Sequence, residues 1–237
     1  MEFSSAPIIQ VKEASVYQDS QLVLKEANFD IYKGEFVYLI GKTGSGKSSL
    51  LKTLYADLPL NTGEISIADY NLLKIKKSEV PFLRRKLGII FQDFQLFYDR
   101  TVADNLIFVM KATGWKSKTK MNARIKEVLQ QVGLGNIENK MPHQLSGGEQ
   151  QRLVIARSLI NDPLIIIADE PTGNLDPEIA EGIMQLFLQI NKGGTAVLMA
   201  THNYEFLEKF QARVLKIENS ELKDSAKEVF SYRHGNH

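Results

Sequence analysis

The 237-residue chain contains no cysteine. Disulfide staples, a thiolate nucleophile and cysteine-ligated zinc are therefore excluded, and the composition fits a reducing compartment. Long apolar runs are missing too. Stretches such as Leu164 to Ala168 fall far short of the ~20 residues a membrane span needs, so a soluble chain is expected, and any membrane role must come through a partner. Met1 to Gln10 lacks a basic stretch followed by an apolar run, so no signal peptide is expected. Charge of one sign is also scarce: 29 Lys and Arg against 28 Asp and Glu leave a formal +1. That gives no general attraction to nucleic acid or anionic lipid, and no nucleic-acid partner is expected. What is present is apolar material, 43% of the residues, enough for a substantial core.

That material is arranged in alternating strand-like and helical segments. Ile8–Val16 and Gln21–Ile31 read as strands of an early β-rich region, followed by a short strand Phe36–Ile40 and a helix Lys47–Ala56. Gly63–Ile67 and Leu87–Phe91 are further strands. The middle changes character: Val102–Thr113, Met121–Val132 and Gly148–Asn161 carry helical spacing. Strand Leu164–Ala168, helix Pro177–Asn191 and strands Ala196–Ala200 and Arg213–Ile217 restore the alternation. The pattern predicts a parallel α/β core interrupted by a helical subdomain near 93–162, all within one domain spanning 1–237. The polar tail 226–237 is expected to be frayed.

Three motifs carry chemistry. Gly41-Lys42-Thr43-Gly44-Ser45-Gly46-Lys47-Ser48 lies between a predicted strand and a predicted helix, the context of a phosphate-cradling P-loop. Its glycines let successive N–H groups face phosphate oxygens, and the helix N-terminus adds its dipole. Lys47 is suited to reach the β- and γ-phosphates and the Ser48 hydroxyl to hold Mg²⁺, with Ser49 counted in the same nucleotide-binding stretch. The second motif is the apolar run Leu164–Ala168 ending in Asp169-Glu170. Such a run belongs to a central strand buried on both faces, which delivers both carboxylates to the edge where α/β sheets bind ligands. Asp169 is then expected to hold Mg²⁺ through water, and Glu170 to polarise an attacking water. The third, Leu145-Ser146-Gly147-Gly148-Glu149-Gln150, opens a helix with a serine and two glycines, a second anion-binding N-terminus. It is redundant within one chain unless it serves a neighbour's nucleotide.

In that order these motifs resemble the set carried by ABC-type ATPases, and the likeness runs from about Val11 to Leu222. The resemblance implies a P-loop NTPase fold: a RecA-like parallel-sheet α/β core, an N-terminal antiparallel β subdomain and a helical subdomain. It identifies Leu145 to Gln150 as similar to the signature motif and Gln92 as similar to the Q-loop residue, which touches Mg²⁺ and water and faces the membrane partner. Asn174-Leu175-Asp176 resembles the D-loop between two sites, and His202 the switch histidine that contacts the γ-phosphate. Tyr17 falls where the family stacks an aromatic on adenine; Asn203 departs from the family's frequent Asp. The implied catalytic set is Glu170, His202, Gln92 and Lys47. The implied substrate and metal are ATP and Mg²⁺, and the implied assembly is a head-to-tail homodimer with two ATP molecules between the copies. Ser146, Gly148 and Gln150 would complete the partner copy's site, with Asp176 nearby.

A finer likeness lies in Glu79 to Phe94 together with Asp99-Arg100-Thr101-Val102, which resembles the FtsE family of bacterial cell-division ATPases. That resemblance implies a transmembrane partner resembling FtsX, a peripheral location on the cytoplasmic face of the bacterial inner membrane, and work directed at septal peptidoglycan hydrolases. An ATPase of a lipoprotein or macrolide exporter is the alternative. The nearby basic cluster Lys74, Lys76, Lys77, Arg84, Arg85 and Lys86 reads at least as well as a solvated face as it does as a contact for acidic partner groups or the anionic inner leaflet.

Overall fold

The computed structural model describes residues 6–229. Strands β1 (Ile9–Gln18) and β2 (Gln21–Ile31) form a hairpin through Asp19 and Ser20, both with positive φ. β4 (Thr62–Ile67) and β5 (Tyr70–Asn71) extend it into an antiparallel sheet of order β2-β1-β4-β5. Gly63 is required there: a Cβ would lie 2.2 Å from the Glu13 carbonyl oxygen of the neighbouring strand.

The second sheet contains β3 (Phe36–Gly41), β6 (Leu87–Ile90), β7 (Ile165–Asp169), β8 (Ala196–Ala200), β9 (Arg213–Glu218) and β10 (Glu221–Asp224), in the order β10-β9-β3-β8-β7-β6. All but the edge strand β10 run parallel. β3 and β8 are buried at every residue, as sheets covered on both faces require. Their side chains sort by parity. Tyr38, Ile40, Ile166, Ala168, Val197 and Met199 enter one core with helices α3 (Val102–Ala112), α4 (Lys118–Gln131), α5 (Gly147–Leu159) and α6 (Pro177–Lys192). Val37, Leu39, Ile165, Ile167, Leu198 and Ala200 enter the other, with α1 (Lys47–Leu54) and the antiparallel sheet. Residues 93–162 contain α3, α4 and α5 and no strand, which is the helical insert expected from the periodicity.

The differences from the sequence reading are local. α1 stops at Leu54, two residues early, because Ala56 takes a left-handed backbone with φ 56°. α4 starts at Lys118, where Ser117 accepts from the Lys120 N–H. Helices α2 (Val80–Arg85) and α7 (Tyr204–Lys209) and strands β5 and β10 are too short to announce themselves by periodicity. Of the expected frayed tail, residues 226–229 are described. Ala226 donates to Asp224 Oδ1, and Lys227 and Glu228 to the Asp224 carbonyl, so this part turns back on β10; residues 230–237 lie outside the described residues.

One polar cluster joins the two sheets. Arg213 donates to both carboxylate oxygens of Asp224, at 3.0 and 2.7 Å, to Glu35 Oε1 at 2.7 Å, and to the Asp30 carbonyl of β2 at 2.8 Å. Burial opposes charge on Asp224, but the Arg213 guanidinium and the Ala226 N–H outweigh it and hold its pKa below the usual carboxylate range. A carboxyl whose pKa is lowered on folding contributes stability above its unfolded pKa of about 3.9 and loses it as pH falls through the lower folded value. Asp224→Asn should lower unfolding stability at pH 7 by about 2 kcal/mol in urea titrations. It should also flatten the acid-denaturation limb below about pH 4.

Candidate active site

Four parallel strands end on the same side of the sheet, and their C-terminal ends assemble the site. After β3 the P-loop closes tightly: a Cβ on Gly41 would meet Ser45 Oγ at 2.5 Å and the Ile217 carbonyl oxygen at 2.7 Å. Gly46, with φ 101°, precedes α1 and supplies no side-chain cap, so the first N–H groups of the helix are left for an external acceptor. Lys47 is 7% exposed, and its Nζ donates to the carbonyls of Gly41 (2.9 Å) and Lys42 (3.3 Å). Among the described residues no carboxylate lies within ion-pair distance of it. Ser48 is exposed at the helix start, whereas the buried Ser49 donates its hydroxyl to Gln18 Oε1 at 2.6 Å. Ser49 is thus left with its N–H to offer a phosphate.

β7 delivers Asp169 and Glu170. Asp169 Oδ1 is buried without a hydrogen-bond partner, and Glu170 sits at φ 49° with its N–H bonded to the Ala200 carbonyl across β8. Glu170 Oε2 lies 2.7 Å from His202 Nδ1 and accepts the His202 N–H at 3.4 Å. A carboxylate only accepts, so with Glu170 in that form this bond requires the proton on Nδ1. The Glu170 side chain is 12% exposed and that of His202 65%. The carboxylate is shielded and its histidine partner open.

Gln92 follows β6 and is exposed; its carbonyl accepts from Asn174 Nδ2 at 3.5 Å, which brings the Gln92 loop and the Asn174–Asp176 turn together. Asp176 precedes α6 and makes no cap with its side chain. Tyr17 is half-buried on β1 opposite Leu22. It is not among the residues of the cleft of about 510 Å³ beside the loop, which is bounded by Lys42, Thr43, Val23, Tyr204 and Glu218. A second cleft of about 260 Å³ holds Glu170, Thr172, Leu175 and His202. The polar groups at the strand ends therefore lie between two open clefts, not inside an enclosed pocket.

The signature-like helix start is closed on itself. Ser146 Oγ accepts from the Glu149 N–H at 3.3 Å and donates to Glu149 Oε2 at 2.8 Å, while the Ser146 N–H reaches the same carboxylate oxygen. These bonds from the Ser146 N–H and hydroxyl lower the pKa of Glu149. Gly148 is buried, and a Cβ there would meet Ile179 at 2.7 Å. The exposed glycine is Gly147, which the sequence reading did not select. Gln150 donates to the Leu145 carbonyl and accepts from the Tyr98 hydroxyl.

Asp169 carries an unpartnered buried oxygen, and the exposed Ser48 and Gln92 carry a hydroxyl and an amide oxygen, each a donor type that Mg²⁺ accepts. No group of three or more His, Cys, Asp or Glu that could hold a metal occurs among the described residues. The remaining ligands would come from phosphate and water, as is usual for this ion.

A family model described as ABC transporter matches residues 24–173. The chain belongs to that family. The cell division ATP-binding protein FtsE of Streptococcus pneumoniae (serotype 2, strain D39) is 40% identical over 227 residues, 95% of this chain and 98% of that protein. FtsE of Bacillus subtilis is 42% identical over 213 residues, 90% and 93% of the two chains. Among solved structures, the ATP-binding cassette MJ0796, a dimer in a post-hydrolysis state bound to ADP and Pi, superposes with a TM-score of 0.77. It is 34% identical and covers 91% of this chain and 96% of its own. CbiO1 of Clostridium perfringens, part of an ABC transporter complex, gives a TM-score of 0.83 at 28% identity, with coverage of 92% and 87%. The chain is thus an FtsE-like ABC ATPase with the P-loop NTPase fold, and the exporter alternative is not favoured.

Part of the site escaped the sequence. Asn105 is fully buried at the start of α3 and organises the loop after Gln92. Its Oδ1 accepts from the Phe97 N–H, and its Nδ2 faces the carbonyls of Phe97, Arg100 and Thr101. The basic cluster splits: Arg84 and Lys86 bind the carbonyls of Tyr55, Ala56 and Ala68, while Arg85 lies over Phe82. Asn105→Ala should leave several buried polar groups unpaired and cost about 2 kcal/mol, a fall of roughly 5 °C in melting temperature by calorimetry.

Proposed function

We propose that this chain is the ATP-driven subunit of a membrane complex of bacterial cell division. It works as a head-to-tail homodimer on the cytoplasmic face of the inner membrane, coupled to a transmembrane partner resembling FtsX, and its cycle switches on septal peptidoglycan hydrolases outside. Among the described residues no helix is long and apolar enough to cross a membrane, so attachment falls to the partner. A groove of about 430 Å³ lined by Arg84, Arg85, Phe91, Phe97, Phe108 and Arg157, beside the Gln92 loop, is the surface we assign to it.

The observation that carries the reading is the Glu170–His202 pair, 2.7 Å apart, the carboxylate shielded and the histidine open to solvent. An ATPase needs water excluded and charge stabilised around the γ-phosphate, and one copy leaves that side uncovered. A second copy offering Ser146, Gly147, Gly148 and Gln150 would cover it and explains why the chain carries two anion-binding helix starts. Adenine would stack on Tyr17. The N–H groups of Gly41 to Ser49 and the Lys47 ammonium would hold the phosphates. Mg²⁺, held by Ser48, Gln92 and, through water, Asp169, would supply charge neutralisation.

The chain's own groups then perform the reaction. The Glu170 carboxylate accepts a proton from water as its oxygen bonds to the γ-phosphorus. The bond from that phosphorus to the bridging oxygen of ADP breaks in line. His202 holds Glu170 in place through Nδ1 and presents Nε2 to the phosphate side, while Gln92 orients the water and Asp176 faces the neighbouring site. Release of phosphate removes the charge that joined the copies, and the dimer opens.

Glu170→Gln should leave nucleotide binding at wild-type strength while reducing steady-state phosphate release at least about 100-fold. Turnover near the wild-type rate would remove Glu170 from the role of base. Tagged chain extracted from membranes should bring down an FtsX-like protein, and an exporter's membrane subunit in its place would contradict the partner assignment.

A further inference from the structure

The loop that begins at Gln92 is fastened to α5 at two points, Arg157 and, within the signature-like motif, Gln150. Near its start, Arg157 donates through Nη1 to the Gln95 carbonyl at 2.6 Å and through Nη2 to the Phe94 carbonyl at 3.1 Å. Further along, the Tyr98 hydroxyl bonds Gln150 Oε1 at 3.0 Å, and Gln150 Nε2 is itself committed to the Leu145 carbonyl at 3.1 Å. Gln150 and Arg157 are seven residues apart, two turns of one helix. They share a face of α5 about 10 Å apart, and the loop runs along it.

Neither contact has the character of simple packing. Arg157 is half-buried, yet among the described residues it has no carboxylate within ion-pair distance. Its charge is answered only by the two loop carbonyls. An apolar residue would fill the same space without that desolvation cost. Tyr98 is 52% exposed, so its ring contributes little to the core while its hydroxyl is directed at a signature-like side chain. Gln95 is held at φ 46°, a left-handed backbone that is uncommon for a non-glycine residue. Arg157 also lines the groove assigned to the membrane partner, so one side chain touches both the docking surface and the Gln92 loop.

We propose that Arg157 and Tyr98 are positioning residues: they strap the Gln92 loop to α5, so that displacement in the groove moves Gln92 and the Ser146–Gln150 helix start as one body. The two residues act through others. Arg157 sets the Phe94–Gln95 backbone and with it Gln92, and Tyr98 fixes the rotamer of Gln150. The strap ties a group of a copy's own site to the element offered to the neighbouring copy. This rests on the shared-site reading given above.

The test uses the full chain in a Glu170→Gln background, with ATP-driven dimerisation followed by light scattering. Binding of a fluorescent ATP analogue to the monomer and melting temperature are measured in parallel. Tyr98→Phe and Arg157→Gln should raise the ATP concentration for half-maximal dimerisation by about 3- to 10-fold, with analogue affinity and melting temperature at parental values. Arg157→Lys, which keeps the charge but offers a single donor nitrogen in place of the guanidinium fork, should fall between. Unchanged midpoints in both variants would overturn the strap. So would a rise matched by equal losses of analogue affinity or melting temperature, which is the mark of a merely structural role. A parent that does not dimerise with ATP would instead overturn the shared-site reading and the strap with it.

Discussion

Lys47 is a cation buried at 7% exposure with only two backbone carbonyls for company. Burying an ammonium without a counter-charge is costly, and the chain accepts that cost at the one place where a polyphosphate would supply the missing charge. Much of the neighbouring architecture follows from the same demand. The glycines of the P-loop bring N–H groups to the same point, Gly46 withholds a cap from α1, and the Asp169 oxygen is left without a partner close by. On the function proposed above, a nucleotide with its metal ion would supply the counter-charge that Lys47 lacks and partners for the other groups.

The sheet makes this arrangement rigid. Because β3, β7 and β8 are covered on both faces, their alternate residues lock into two separate cores, and their C-terminal ends cannot shift independently. At the end of β7, Glu170 departs from the strand in a left-handed backbone at φ 49°, and its side chain reaches His202. The more exposed loop after Gln92 is held by side-chain hydrogen bonds of Asn105, Arg157 and Tyr98. A rigid phosphate platform faced by a tethered loop is the mechanical division expected of a subunit that turns hydrolysis into movement.

Much of this was legible in the chain because its chemistry is local in sequence. The P-loop, Asp169-Glu170 and the helix start at Ser146 each need a few consecutive residues, and each lies at the end of a strand or the start of a helix as the spacing implied. Contacts between distant residues were not legible. Arg213 reaches Asp30 across 183 positions, and Tyr98 reaches Gln150 across 52, so no window of sequence contains either pair. Gly147 and Gly148 look equivalent in a motif; only the packing of Ile179 over Gly148 distinguishes the covered glycine from the exposed one.

The claim that Lys47 is a charge awaiting phosphate is tested most directly by the thermal stability of Lys47→Met with and without MgATP. The variant alone should melt at or above the wild-type temperature, since an unpaired buried cation has been removed. MgATP at about 100 times its dissociation constant should stabilise the wild type by about 2.7 kcal/mol and leave the variant nearly unmoved. A variant that melts well below wild type without ligand, or that keeps the full MgATP shift, would contradict the account.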